Sequence, residues 1–178
     1  MSTASSDALK RARHVKVMIF DVDGVLTDGK LWYGSTGETL KAFNSLDGHG
    51  LKMLAAGGIR TAILSGRSSL AVEARAAELG IVHLVQGAAD KRAAFDDMLA
   101  RLGIPAQETG YMGDDVVDLP VLVRCGFASA PSDAHELVRR HCHFVSAAGG
   151  GGGAVREVCE VVLGAQGKLD RILAQYLA

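Results

Sequence analysis

Asp21 and Asp23 stand directly behind a short apolar run, Val15–Phe20, and a glycine follows them. Three further apolar runs end in a comparable way. Thr61–Leu64 leads into Ser65-Gly66-Arg67, and Val82–Val85 is soon followed by Asp90-Lys91. Gly110–Met112 leads into Gly113-Asp114-Asp115, with Asp118 one helical turn further on. Carboxylates from two chain positions can share a hard cation such as Mg2+, which takes oxygen ligands and keeps several waters. A carboxylate beside such a cation can attack phosphorus and become an aspartyl phosphate. A second acid two residues on can protonate the leaving oxygen and later activate water. The Ser65 hydroxyl and the Lys91 ammonium would hold the charge that spreads over the phosphoryl oxygens. Along an extended strand Asp21 and Asp23 would face the same way. Where the chain bends past the strand, one of them can offer its backbone carbonyl instead. The residue types fit phosphoryl transfer.

These groups converge only if the apolar runs are neighbouring strands. Each run is followed by a stretch with helical spacing: Ser68–Leu79, Asp90–Leu102 with Ala94, Met98 and Leu102 on one face, and Val116–Val123. A further run, Cys142–Val145, precedes Ala154–Leu163. Strands alternating with helices predict an α/β fold with a doubly wound, mainly parallel sheet. Ligands bind such a sheet beyond the carboxyl ends of its strands, where the polar residues lie. Leu31–Tyr33 and Glu38–Phe43, joined by Gly34-Ser35-Thr36-Gly37, break the rhythm and predict a projecting β-hairpin over about 30–43. Residues 1–14 read as a flexible polar lead-in, 15–164 as the catalytic domain and 165–178 as a tail with helical character. Gly149–Gly153 is the one low-complexity tract, either a mobile loop or a part of the site.

The 178 residues are 48% hydrophobic and 22% charged with a formal net charge of −1. That is one globular domain and excludes general disorder. An isoelectric point near 6.6 argues against nucleic-acid or membrane-surface binding through bulk charge. No apolar run approaches the roughly 18 residues of a membrane span, and the polar opening stretch lacks the apolar core of a signal peptide. Cys125, Cys142 and Cys159, odd in number and widely spaced, suit a reducing, cytoplasmic compartment better than a disulfide framework.

Asp-x-Asp-Gly-Val-x-Thr-Asp-Gly over Asp21–Gly29, then Leu64-Ser65-Gly66-Arg67, Lys91 and Gly113-Asp114-Asp115-x-x-Asp118 occur in order. In this the chain resembles the haloacid dehalogenase superfamily of phosphotransferases from about residue 15 to 165. The resemblance implies a Rossmann-like core with Asp21 as nucleophile and Asp23 as general acid and base. It further implies Ser65 and Lys91 as phosphate binders and Mg2+ held by Asp21, the Asp23 carbonyl and Asp114.

A narrower resemblance rests on Thr27-Asp28-Gly29, the hairpin and Phe43-Asn44-x-x-Asp47-Gly48-x-Gly50, with Ala154–Cys159 and Gln166-Gly167-Lys168-Leu169. These look like the 3-deoxy-D-manno-octulosonate 8-phosphate phosphatase family, which makes the sugar acid of the lipopolysaccharide inner core. That resemblance implies a homotetramer without a separate cap domain, in which a neighbouring subunit covers each site. It places substrate contacts at Asp23, Lys91, Asp115, Arg67 and Arg75, and at the segment Asn44, Ser45, Leu46, Asp47 and Gly48. Arg suits the substrate carboxylate through its planar fork, and Arg67 and Arg75, eight residues apart, would share one helix face. Leu46 and Gly152 depart from the family pattern, which often carries arginine there. The substrate choice therefore stands between the octulosonate 8-phosphate and a related nonulosonate 9-phosphate.

Several of these residues have plainer readings. Asp28 suits a turn; Asp118 either joins the acidic cluster or supports Lys91. His141 and His143 would share one face of an edge strand, and His49 is either a turn residue or part of the site wall. Trp32 and Tyr33 call for a covering surface, either the domain's own core or, as the projecting hairpin favours, a second subunit. Two other functions use similar residues. A receiver-type signalling domain keeps its aspartyl phosphate, but the Asp-x-Asp at the first strand favours turnover. A catalytically idle assembly module would have no use for Asp21, Asp23, Ser65, Lys91 and Asp114 together.

Overall fold

In a computed structural model, residues 4–35 and 37–177 are described. Part of the lead-in forms a helix. Helix α1 (Ser6–Ala12) is capped by the Ser5 hydroxyl, which accepts the Ala8 N–H at 3.1 Å, and buries Ala8 and Ala12. Two small apolar residues at helical spacing suffice to dock it. Residues 1–3 of the lead-in and 178 of the tail lie outside the described residues, as does Thr36 in the hairpin turn.

Strand β1 (Val17–Phe20) is followed by the hairpin strands β2 (Trp32–Gly34) and β3 (Gly37–Leu40), then α2 (Ser45–Ala56). Next come β4 (Arg60–Leu64), α3 (Leu70–Leu79), β5 (His83–Val85), α4 (Lys91–Leu102) and β6 (Thr109–Met112). The chain closes through α5 (Leu119–Leu122), β7 (Phe127–Ala130), α6 (Glu136–His141), β8 (Phe144–Val145), α7 (Ala154–Ala165) and α8 (Leu169–Ala174). The main sheet is parallel throughout, in the order β5-β4-β1-β6-β7-β8, and β2 pairs with β3 apart from it. From central β1 the chain winds outward to β4 and β5, then returns to β6 on the other side. The change of direction opens a crevice at the carboxyl end of β1.

Strands buried on both faces read as unbroken apolar runs. In β1, Met18 and Phe20 enter the layer built by α1, α2, α3, α7 and α8. Val17 and Ile19 enter the layer built by α4, α5 and α6. Five further elements differ from the sequence reading. Strand β7 and helices α2 and α6 were not expected. The strand expected over Cys142–Val145 shortens to Phe144–Val145, because His141 closes α6 while His143 Nδ1 accepts the Ala128 N–H at 2.8 Å. Val116–Val123 divides into a tight 3-10 turn over Val116–Asp118 and the short α5, with Pro120 in its first turn. The hairpin leaves Leu31, Trp32, Tyr33 and Leu40 exposed. No described helix is long and apolar enough to cross a membrane.

Candidate active site

The carboxyl ends of β1, β4 and β6 and the N-terminus of α4 surround one cleft of about 280 Å3. Asp21, Asp23, Ser65, Arg67, Lys91, Asp114 and Asp115 line it together with Gly29, Gly66 and Val117. At its floor Lys91, 7% exposed, reaches between two buried acids. Its Nζ lies 2.9 Å from Asp21 Oδ2 and 2.6 Å from Asp118 Oδ1. Buried charge of this kind survives only when paired.

Asp118 resolves into a holding group. Its Oδ1 accepts from Lys91 and from the Tyr111 hydroxyl, each at 2.6 Å. Its Oδ2 accepts the N–H groups of Asp114 at 3.1 Å and Asp115 at 3.3 Å. Four donors use the lone pairs a carboxylate has. Burial and the Asp118 charge hold the Tyr111 hydroxyl firmly protonated, well above its ordinary pKa. Asp115 caps the 3-10 turn, accepting the Val116 N–H at 2.7 Å. Ser65 accepts the Arg67 N–H at 3.3 Å and stands at the cleft wall, 3% exposed.

Carboxylate oxygens of Asp21, Asp114 and Asp118 lie within 4.8 Å of one another. Burial and the Asp118 charge raise the pKa of Asp21, against the pull of Lys91. The same causes push Asp114 up to about 7. One ammonium does not balance three clustered carboxylates, and a hard divalent cation would. With Asp118 committed to its four donors, Asp21 and Asp114 have oxygens to offer. Gly24 lacks the side chain that would strike Asp114, so the Asp23-Gly24 backbone can approach that acid. The donor set fits Mg2+.

Asp23 is held by a residue the sequence reading missed: Lys41, at the foot of the hairpin, ion-pairs with Asp23 Oδ1. Arg67 Nε stands 3.6 Å from Asp23 Oδ2, and Arg67 Nη2 donates to the Tyr33 hydroxyl at 2.6 Å. The hairpin therefore touches this chain's own cleft. Arg67 and Arg75 do not share a helix face, because α3 starts at Leu70, beyond Arg67.

The segment Asn44–Gly48 and Arg75 are not among the residues lining the cleft. Asn44 caps α2, accepting the Leu46 N–H at 2.8 Å, and donates to the Gly151 carbonyl at 3.0 Å. Ser45 and Leu46 are both exposed. Asp47 turns away from the cleft and acts as a helix cap. Buried, it accepts the N–H groups of Gly153 at 3.3 Å and Arg156 at 2.9 Å at the start of α7. Arg75 lies against α2, where its guanidinium donates to the Asn44 carbonyl at 3.4 Å and faces Phe43 at 5.9 Å. Gly48 leaves room for it. His49 bonds Tyr176 at 2.9 Å and Arg156 at 3.1 Å. Asp28 is an exposed turn acid paired with Lys30 at 2.8 Å, which keeps its pKa low.

The glycine tract is closely packed. A side chain at Gly150 would collide with the Gly24 carbonyl, and one at Gly151 would come 2.7 Å from the Asp28 nitrogen. Gly151 N–H donates to the Val25 carbonyl at 2.9 Å. Asp133 Oδ1 accepts the Gly150 N–H at 3.0 Å, and Glu157 ties down Ser146 and Ala147. The tract braces the loop that carries Asp23.

Residues 71–155 match the family described as haloacid dehalogenase-like hydrolase. The chain is 45% identical over 171 residues to the 3-deoxy-D-manno-octulosonate 8-phosphate phosphatase KdsC of Escherichia coli strain K12, covering 96% of this chain and 91% of that protein. Two crystal structures resemble it closely. The 3-deoxy-D-manno-octulosonate 8-phosphate phosphatase of Yersinia pestis aligns with a TM-score of 0.90 at 44% identity, over 93% of this chain and 89% of that one. The enzyme of Moraxella catarrhalis, in complex with magnesium ion, phosphate ion and KDO, aligns with a TM-score of 0.93 at 41% identity, over 96% and 98%.

Proposed function

The chain belongs to the 3-deoxy-D-manno-octulosonate 8-phosphate phosphatase family of haloacid dehalogenase-like hydrolases, and on that premise we propose that it hydrolyses this sugar-acid phosphate to the free sugar acid and phosphate. The observation that carries the proposal is the meeting of Asp21, Lys91 and Asp114 with Asp23 in one cleft at the strand ends.

Asp21 is the nucleophile. Lys91 at 2.9 Å favours its ionised form and would accompany it against an anionic phosphoryl group. Mg2+, held by Asp21, the Asp23 carbonyl and Asp114, would supply further positive charge to the phosphoryl oxygens. Ser65 and Lys91 hold those oxygens. As an Asp21 oxygen bonds to phosphorus, the bond to the sugar oxygen breaks and that oxygen takes a proton from Asp23. Asp23, now a carboxylate, draws a proton from the water that attacks the aspartyl phosphate, which frees Asp21 and releases phosphate. Arg67 at the rim suits the substrate carboxylate.

Phosphate release from a panel of alkyl and sugar-acid phosphates should be greatest with the octulosonate 8-phosphate and lost in chelator. No release from any member refutes the reading. A preference for a nonulosonate 9-phosphate would assign the chain to that substrate, and Leu46, which is exposed and departs from the family pattern, makes the comparison worthwhile.

The cytoplasm is the compartment we assign, on the three free cysteines. We further propose a homotetramer in which a neighbouring subunit covers the open cleft. Four exposed apolar side chains on the hairpin, Leu31, Trp32, Tyr33 and Leu40, favour burial against another copy. Light scattering is expected to give about four times the 18.6 kDa of one chain. A single-chain mass would contradict it.

A further inference from the structure

Lys41 follows strand β3 by one residue, and its side chain is only 2% exposed. A buried ammonium is costly unless an anion meets it. Here the Asp23 carboxylate does so, through Oδ1. Asp23 Oδ2 is buried and accepts no hydrogen bond from the described residues, since Arg67 Nε at 3.6 Å is beyond bonding reach. An unsatisfied buried acceptor costs about 1–3 kcal/mol of desolvation, which a structure keeps only when something offsets it. Asp23 thus has one oxygen anchored at the hairpin foot and one left over, in a residue that lines the cleft. A proton carried on that second oxygen is what a general acid delivers to a leaving oxygen.

We propose that Lys41 is the positioning residue for the general acid: by holding Asp23 Oδ1 it presents Oδ2 to the leaving oxygen of the substrate. The proposal rests on the phosphatase reading above. Bond by bond, the step is unchanged. The phosphorus–oxygen bond to the leaving group breaks, and that oxygen takes the Asp23 proton. Lys41 donates throughout and gives up no proton. Because it follows directly on the hairpin, the orientation of the acid is tied to the seating of that hairpin.

Two substrates of different leaving-group demand test this. An alkyl phosphate leaves as a poor anion and needs the acid; p-nitrophenyl phosphate leaves as a stabilised phenolate and needs it little. The ratio kcat/KM covers the steps up to leaving-group departure, so it isolates the acid from the later attack of water. Lys41→Met is expected to lower kcat/KM for the alkyl phosphate by about 10²-fold, the usual worth of a general acid, with a far smaller loss on the aryl phosphate. Lys41→Gln keeps a donor for Oδ1 and is expected to fall between Lys41→Met and wild type, and it serves equally if Lys41→Met folds poorly. Equal losses on the two substrates, or none on either, overturn the positioning role. Wild-type enzyme inactive on both would instead overturn the phosphatase reading, and the proposal with it.

Discussion

Asp21→Asn is expected to lower phosphate release by about 10⁴-fold or more, the scale on which loss of a covalent nucleophile is felt. The amide has the shape of the acid and can still accept from Lys91, so the packing at the cleft floor is kept. It removes one of the clustered carboxylates that burial and Asp118 already disfavour as ions. The metal-free variant should therefore melt no lower than wild type. The loss is then chemical: an amide cannot form the aspartyl phosphate, and rapid quenching with radiolabelled substrate should trap a phosphoenzyme in wild type and none in the variant. Wild-type turnover in Asp21→Asn would remove the nucleophile assignment.

Lys91→Met should cost activity and stability together. The lysine is the cation between Asp21 and Asp118, with distances of 2.9 and 2.6 Å in a buried setting. Removing one partner of such a group typically costs about 3–5 kcal/mol, because the remaining charge stays buried without compensation. For a chain of this size that is a fall in Tm of roughly 10 °C. The pH dependence has a definite sign. Without the ammonium, the folded-state pKa of Asp21 rises further above its unfolded value, so the folded state binds that proton more tightly. The stability the protonated form retains is lost as pH rises through that raised value. The deficit against wild type should be wide at pH 8 and narrow towards pH 5, with chelator present in each melt. A deficit that does not change with pH would contradict this account.

Much of the site was legible because chemistry-bearing residues stand immediately after short apolar runs, and a parallel sheet gathers such positions at one end. Asp21, Ser65 and Asp114 needed only that rule. What escaped was set by distant partners. Asp47 reads as a loop acid beside Asn44, yet its partners are the N–H groups of Gly153 and Arg156 on α7. Lys41 reads as one more surface lysine until the hairpin folds it onto Asp23. Strand β7 is spelled Phe-Ala-Ser-Ala, too small and mixed to register as an apolar run, but it lies between β6 and β8 and is wholly buried. Helix α1 shows only Ala8 and Ala12 on its inner face, a weak signal amid polar residues. Arg75 had the right chemistry for an anion, and the neighbouring α2 claimed it.

The brace between the glycine tract and the loop after β1 also sets an order of events during synthesis. Asp21 and Asp23 leave the ribosome well ahead of Gly149–Gly153. The backbone that holds their loop in place, from Gly149 to Gly153, is made only after every strand of the main sheet. A nascent or prematurely ended chain would carry its catalytic acids on a loop without support. Such a chain would be idle towards phosphate esters in the cell until the glycine tract folds back against the loop.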